Sequence, residues 1–188
     1  MPDTPTFWST IAAAAPEAYL VAAICAVLMI EVFAGGTKRP RLTGTMTLLA
    51  LAFGAWLTLE YGSVSVRTEA FHGLYVADPL ALVLKLGGLL FTAVSLLYSR
   101  PYLDRRGIGG GEYYVLALTA LLGIHVLASA GNLLSLYIGV ELLGLSLYAM
   151  VAFDRESGVA AEAAMKYFVL GSIASGMLLY GISVVYGL

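Results

Sequence analysis

Six apolar runs alternate with short polar connections along this chain, and each run is about as long as the roughly 20 residues a helix needs to cross a hydrocarbon core. In lipid there is no water to bond exposed N–H and C=O groups. Runs of this length therefore commit the chain to helices, which satisfy those groups internally. Composition agrees: 60% of the residues are hydrophobic and only 12% charged, about half the charged share of a soluble domain, with a mean hydropathy of +0.89. The chain reads as an all-α membrane protein with six transmembrane helices.

Punctuation sets the spans. The first runs from about Pro16 to Phe33 and is stopped by Gly35-Gly36 and Lys38-Arg39-Pro40-Arg41. With no basic segment before it, it reads as a retained span and not a signal peptide. The second covers roughly Leu42 to Tyr61, and a loop with a Val64–Val66 alternation, read as a short extended piece, leads to Ala77. Asp78-Pro79 opens the third span, Asp as N-cap and Pro at the first helical position, and it is expected to end near Tyr98. A polar connection, Ser99 to Glu112, precedes the fourth span, Tyr113 to about Ala130; a Gly131-Asn132 turn leads into the fifth, Leu133 to Phe153. After Asp154-Arg155-Glu156-Ser157-Gly158, with Ser157 as the candidate cap, the sixth runs from about Val159 to Gly187.

Two parts are expected on this basis. Residues 1–112 hold three helices that look peripheral, facing lipid or a partner. Residues 113–188 hold the other three, and the last carries Gly171-Ser172 and Ser175-Gly176, a small-residue spacing that lets helix backbones approach closely. The first, third and fifth connections carry Lys38, Arg39, Arg41, Arg100, Arg105, Arg106 and Arg155, whereas the second and fourth carry only Arg67. By the positive-inside rule both ends of the segment face away from the cytoplasm.

Against this apolar background, ionisable residues at depth are the candidates for function, because a charge there persists only when it faces protein or water. Glu141 stands alone in the fifth run. Tyr137, Gly144 and Tyr148 fall on its helix face, a stripe of hydroxyls with a gap for water. At a rise of about 1.5 Å per residue, Glu141 lies about 12 Å, Lys85 about 9 Å and His125 about 8 Å below the same surface. A buried charged cluster is thus plausible, and Glu141 is its natural proton carrier; the bland alternative is a static ion pair. Lys85 reads equally as its partner or as a side chain snorkelling outward. His125 is a candidate relay or a satisfied core histidine. Glu162 and Lys166 form an i,i+4 pair at the start of the sixth helix, and Lys166 reads either as an inner proton inlet or as half of an interfacial pair. Glu31 is expected to be solvated or lipid-facing.

Other chemistries find no support. Cys25 is the only cysteine, no His/Cys metal spacing occurs, and Gly109 to Gly111 lacks the Lys-Ser/Thr of a phosphate loop. No cofactor site, metal site or nucleic-acid partner is expected, so any redox chemistry must occur on other chains.

The stretch from Asn132 through Glu141 to Tyr148, then Asp154-Arg155 and Ala161-Glu162 through Lys166 to Gly181, closely resembles the subunit N family of bacterial proton-pumping NADH-quinone oxidoreductases. That resemblance implies the N-terminal part of an antiporter-like bundle of about fourteen helices built from inverted repeats, with residues 113–188 beginning a proton-translocation repeat. It implies that Glu141 is the fifth-helix glutamate that pairs with a lysine on a broken seventh helix, and that Lys166 is the sixth-helix lysine near the inner inlet. It also implies partner membrane and hydrophilic subunits that carry NADH, FMN, iron-sulfur clusters and quinone, and residence in the bacterial inner membrane. This chain stops before the seventh-helix lysine. The alternatives are a subunit of a multi-subunit cation/proton antiporter, or a scaffold whose charges only hold helices together.

Overall fold

The computed structural model describes residues 12–33, 40–62, 68–108 and 110–187. Within them lie six helices long and apolar enough to cross a membrane: α1 (Ala15–Phe33), α2 (Pro40–Tyr61), α3 (Pro79–Arg106), α4 (Gly111–Ala128), α5 (Leu133–Val151) and α6 (Gly158–Gly187). Lys38, Arg39 and the Val64–Val66 alternation fall outside the described residues. A two-stranded antiparallel hairpin, β1 (Thr68–Ala70) and β2 (Tyr75–Ala77), joins α2 to α3. So the all-helical expectation holds for the spans, with one small β element between two of them.

The capping residues act as their chemistry dictates. Asp78 accepts from Ala81 N at 2.6 Å, Asn132 from Ser135 N at 2.8 Å and Ser157 from Ala160 N at 3.2 Å, each satisfying a donor that the first helical turn leaves open. α3 departs from expectation at its far end. It continues past Tyr98, through Pro101, to Arg106. Proline removes one backbone bond, but the surrounding residues are good helix formers and Leu103, 6% exposed, anchors the extra turns in the core. Arg105 and Arg106 sit favourably against the C-terminal dipole, and Gly107 ends the helix in the left-handed region, φ 68°.

α4 forms the centre. Tyr114, Ala117, Leu118 and Leu121 from α4 pack with Leu20 and Val27 from α1, Leu51 from α2, and Leu89 and Leu96 from α3 in one apolar cluster. α5 lies against the other side of α4, and α6 touches the bundle through α5. Only 6% of α6's apolar window is buried, against 39% for α4, which makes α6 the edge helix among the described residues. Gly171 on α6 leaves the notch into which the Tyr148 ring fits, so its small residues do admit α5 closely.

Glu31 corrects the sequence reading. It is neither free in solvent nor turned to lipid: its carboxylate accepts from Gly111 N at 3.0 Å and Thr43 Oγ1 at 2.8 Å. A residue from the last turn of α1 thereby supplies the negative group that the N-terminus of α4 needs, since its N-cap, Gly110, has no side chain to do so. Replacing Glu31 by Ala should cost about 1–2 kcal/mol, read as a lower melting temperature of the full-length subunit in its assembly. An unchanged melting temperature would mean that the cap is idle.

Candidate functional site

Two polar centres are built into the apolar bundle, and they do not share residues. The first sits between α5 and α6. Glu141, half-buried, accepts a hydrogen bond from the Ser175 hydroxyl of α6, and that hydroxyl lies 3.2 Å from the Tyr137 hydroxyl one turn back on α5. Helical spacing places Tyr137 and Glu141 on one face, and the small residue at 175 lets α6 come within reach. Tyr148 continues the face but packs edge-on against Tyr167 and Phe168 at ring distances of 4.8 and 5.8 Å. Among the described residues Glu141 takes part in none of the ion pairs. Its surroundings are hydroxyls, which can donate to the carboxylate or pass a proton along.

The second centre lies at the hairpin end of the bundle and uses a residue that sequence reasoning passed over. Lys85 Nζ on α3 pairs with Glu17 Oε1 on α1 at 2.5 Å, with side chains 6% and 12% exposed. It also donates to the Tyr75 phenol at 2.9 Å and lies 5.0 Å from the centre of that ring. The phenol in turn donates to the Ala13 carbonyl at 2.7 Å and lies 3.2 Å from Glu17 Oε2. On α4, His125 is 1% exposed, with Nδ1 4.0 Å from Glu17 Oε1. Tyr75 reaches this place because β2 is tied to the end of α4: Val76 N donates to Ser129 O at 2.9 Å, and Gly131 N to Leu74 O at 3.0 Å. Burial, and next the Glu17 carboxylate, push the Tyr75 phenol above its ordinary range against the opposing pull of Lys85. It therefore remains a protonated donor at neutral pH.

The structure thus gives Lys85 neither of the surroundings weighed from the sequence. It is not a snorkelling side chain, and the carboxylate it pairs with is Glu17. The shared depth of Lys85 and His125 did foreshadow their meeting around one acid. Glu17 carried one signal, a lone carboxylate directly after Pro16 at the head of an apolar run, but that position is also where any helix favours an acid. Tyr75 carried none, because its placement depends on the hairpin.

Lys166 and Glu162 do pair, at 2.5 Å, with side chains 71% and 67% exposed. At the same end of the bundle Arg155 reaches Glu112 at 2.5 Å, also exposed. Among the described residues no group of three or more His, Cys, Asp or Glu side chains could hold a metal ion.

Residues 130–188, which hold α5, α6 and the carboxylate set among hydroxyls between them, match the family described as "NADH:quinone oxidoreductase/Mrp antiporter, TM". Over nearly its whole length the chain is similar to NADH-quinone oxidoreductase subunit N. It is 52% identical to that of Thiobacillus denitrificans over 176 residues, covering 94% of this chain and 36% of the relative. With that of Halorhodospira halophila it is 50% identical over 187 residues, covering 98% and 37%. A chain of the solved respiratory complex I from Thermus thermophilus with bound aureothin superposes with a TM-score of 0.72 at 32% identity, over 92% of this chain and 36% of that one. The similarity runs along the N-terminal part of subunit N at about half identity. It spans about 36% of the length of the curated relatives it matches.

Proposed function

We propose that the chain contributes a mid-membrane proton path to a proton-translocating NADH:quinone oxidoreductase, as part of its subunit N, with redox chemistry on other subunits. The observation that carries this reading is Glu141, set against Ser175 and Tyr137 between two apolar helices, in a chain half identical to subunit N relatives. A carboxylate among hydroxyls can take up a proton and pass it on, and an approaching cation favours the release. The neighbouring hydroxyls give that proton a next acceptor. The moving cation has to come from outside these residues.

On this reading Lys166, exposed at the start of α6, serves as the inner inlet, with Glu162 holding its ammonium. Tyr148 lines the face between Lys166 and Glu141. NADH, FMN, iron-sulfur clusters and quinone belong to partner membrane and hydrophilic subunits. The segment lies in the bacterial inner membrane with both termini on the non-cytoplasmic side, as its basic connections direct. A second reading, a subunit of a multi-subunit cation/proton antiporter, is favoured by the matching family, whose description covers both kinds of protein. Co-purification with hydrophilic electron-transfer subunits separates the two.

Glu141→Gln removes the titrating group and keeps its shape and hydrogen-bonding capacity. In the intact complex, reconstituted into vesicles, it is expected to lower the protons moved per electron pair roughly twofold or more with assembly intact. Wild-type pumping by the assembled variant would leave only the scaffold reading.

A further inference from the structure

The hairpin-end centre takes no part in the path through Glu141, yet it is built with greater enclosure. Neither ring nitrogen of His125 has a hydrogen bond of good geometry to a described residue, although the side chain is almost completely buried and lies against the Lys85 backbone. Buried polar groups without protein partners are uncommon, and ordered water is the usual explanation. The surroundings suit water: a carboxylate, an ammonium, a phenol, and the Ser129 hydroxyl one helical turn from the imidazole. A cavity of about 10 Å³, bordered by Tyr61, Gly62, Tyr75, Asp78 and Lys85, lies on the side of Lys85 that faces the start of α3. That is about the room one water molecule occupies.

We propose that Glu17, Tyr75, Lys85, His125 and Ser129 form a second, hydrated proton-exchange site, in which ordered water links the His125 imidazole to the Glu17–Lys85 pair and, past Asp78, to the surface. The groups that face it are Glu17 from α1, Tyr61 from α2, Tyr75 from β2, Lys85 from α3 with its cap Asp78, and His125 from α4 with its cap Ser129 beside Tyr75. With Glu17 and Lys85 both charged the pair is neutral overall. A proton arriving through water forms an N–H bond on His125, and the O–H bond of the delivering water breaks. The Glu17 carboxylate, 4.0 Å from Nδ1, then faces both the imidazolium and the Lys85 ammonium, and the one excess positive charge drives the proton out by the same route. Tyr75 keeps its own proton and orients the pair.

The hydration stands independently of the proposed proton path; the exchange step rests on it. Two measurements on the intact complex test them separately. A structure of the wild-type complex resolving ordered water is expected to show water bonded to a ring nitrogen of His125, and a dry imidazole there would overturn the site whatever the variants do. In vesicles, His125→Gln and Glu17→Gln are each expected to lose roughly half or more of the protons moved per electron pair. A merely structural cluster would lower the amount of assembled complex and leave that ratio alone. A normal ratio in either assembled variant, with Glu141→Gln deficient, removes the second site and leaves the proposed function standing. A normal ratio in all three removes both.

Discussion

Lys85→Met in the full-length subunit is expected to destabilise the assembled protein by about 3–5 kcal/mol, the usual cost of stripping one partner from a buried ion pair. Lys85 and Glu17 lie 2.5 Å apart, both side chains nearly enclosed, so the Glu17 carboxylate would keep its desolvation and lose its counter-charge. The phenol of Tyr75 lies 3.2 Å away, and no other ammonium or guanidinium among the described residues pairs with Glu17. Adding Glu17→Gln to Lys85→Met removes the orphaned charge. The double variant should recover most of the loss, since replacing both charges of a buried pair is often close to neutral. Thermal unfolding of the purified complex, with amount in the membrane as a second measure, reads the cycle. Additive single effects would show that the two side chains do not interact.

Gly123→Val is the second large effect. A β-carbon at position 123 would lie 2.7 Å from Leu143 N and 3.0 Å from Leu143 Cα, and one at 139 would lie 2.8 Å from Leu127 N. These are backbone atoms on the facing helix. No flexible side-chain end can swing aside, so α4 and α5 must separate. Overpacking of this kind costs about 1–3 kcal/mol or more. Its consequence reaches the candidate site, because Gly139 is two residues from Glu141, and moving α5 alters the approach of Glu141 to Ser175. Loss of melting temperature together with lower pumping is the expected result. A fully stable Gly123→Val complex would mean that the two helices are not in backbone contact.

Much of this was legible in residue order. The apolar runs announce every described span, because hydrocarbon admits only segments that satisfy their own backbone groups. Asp78, Asn132 and Ser157 mark helix starts through chemistry that acts within three residues. Glu141 stands out for the same local reason: a carboxylate in a greasy run is costly wherever the run packs. The family resemblance drawn from residues 132–181 is matched by the relatives. The end of α3 was less legible, since Pro101 signals a stop in isolation and the burial of Leu103 beyond it depends on the folded bundle.

Residue order by itself determined six helices of membrane length and marked Glu141, Lys85 and His125 as ionisable residues within them. Which charge meets which was decided by tertiary structure. Helical rise sets the height of a side chain, while its direction around the bundle depends on how six rods pack. That packing turned Lys85 toward Glu17, drew Tyr75 in through a hairpin tied to α4, and left Glu141 facing the hydroxyls of Ser175 and Tyr137.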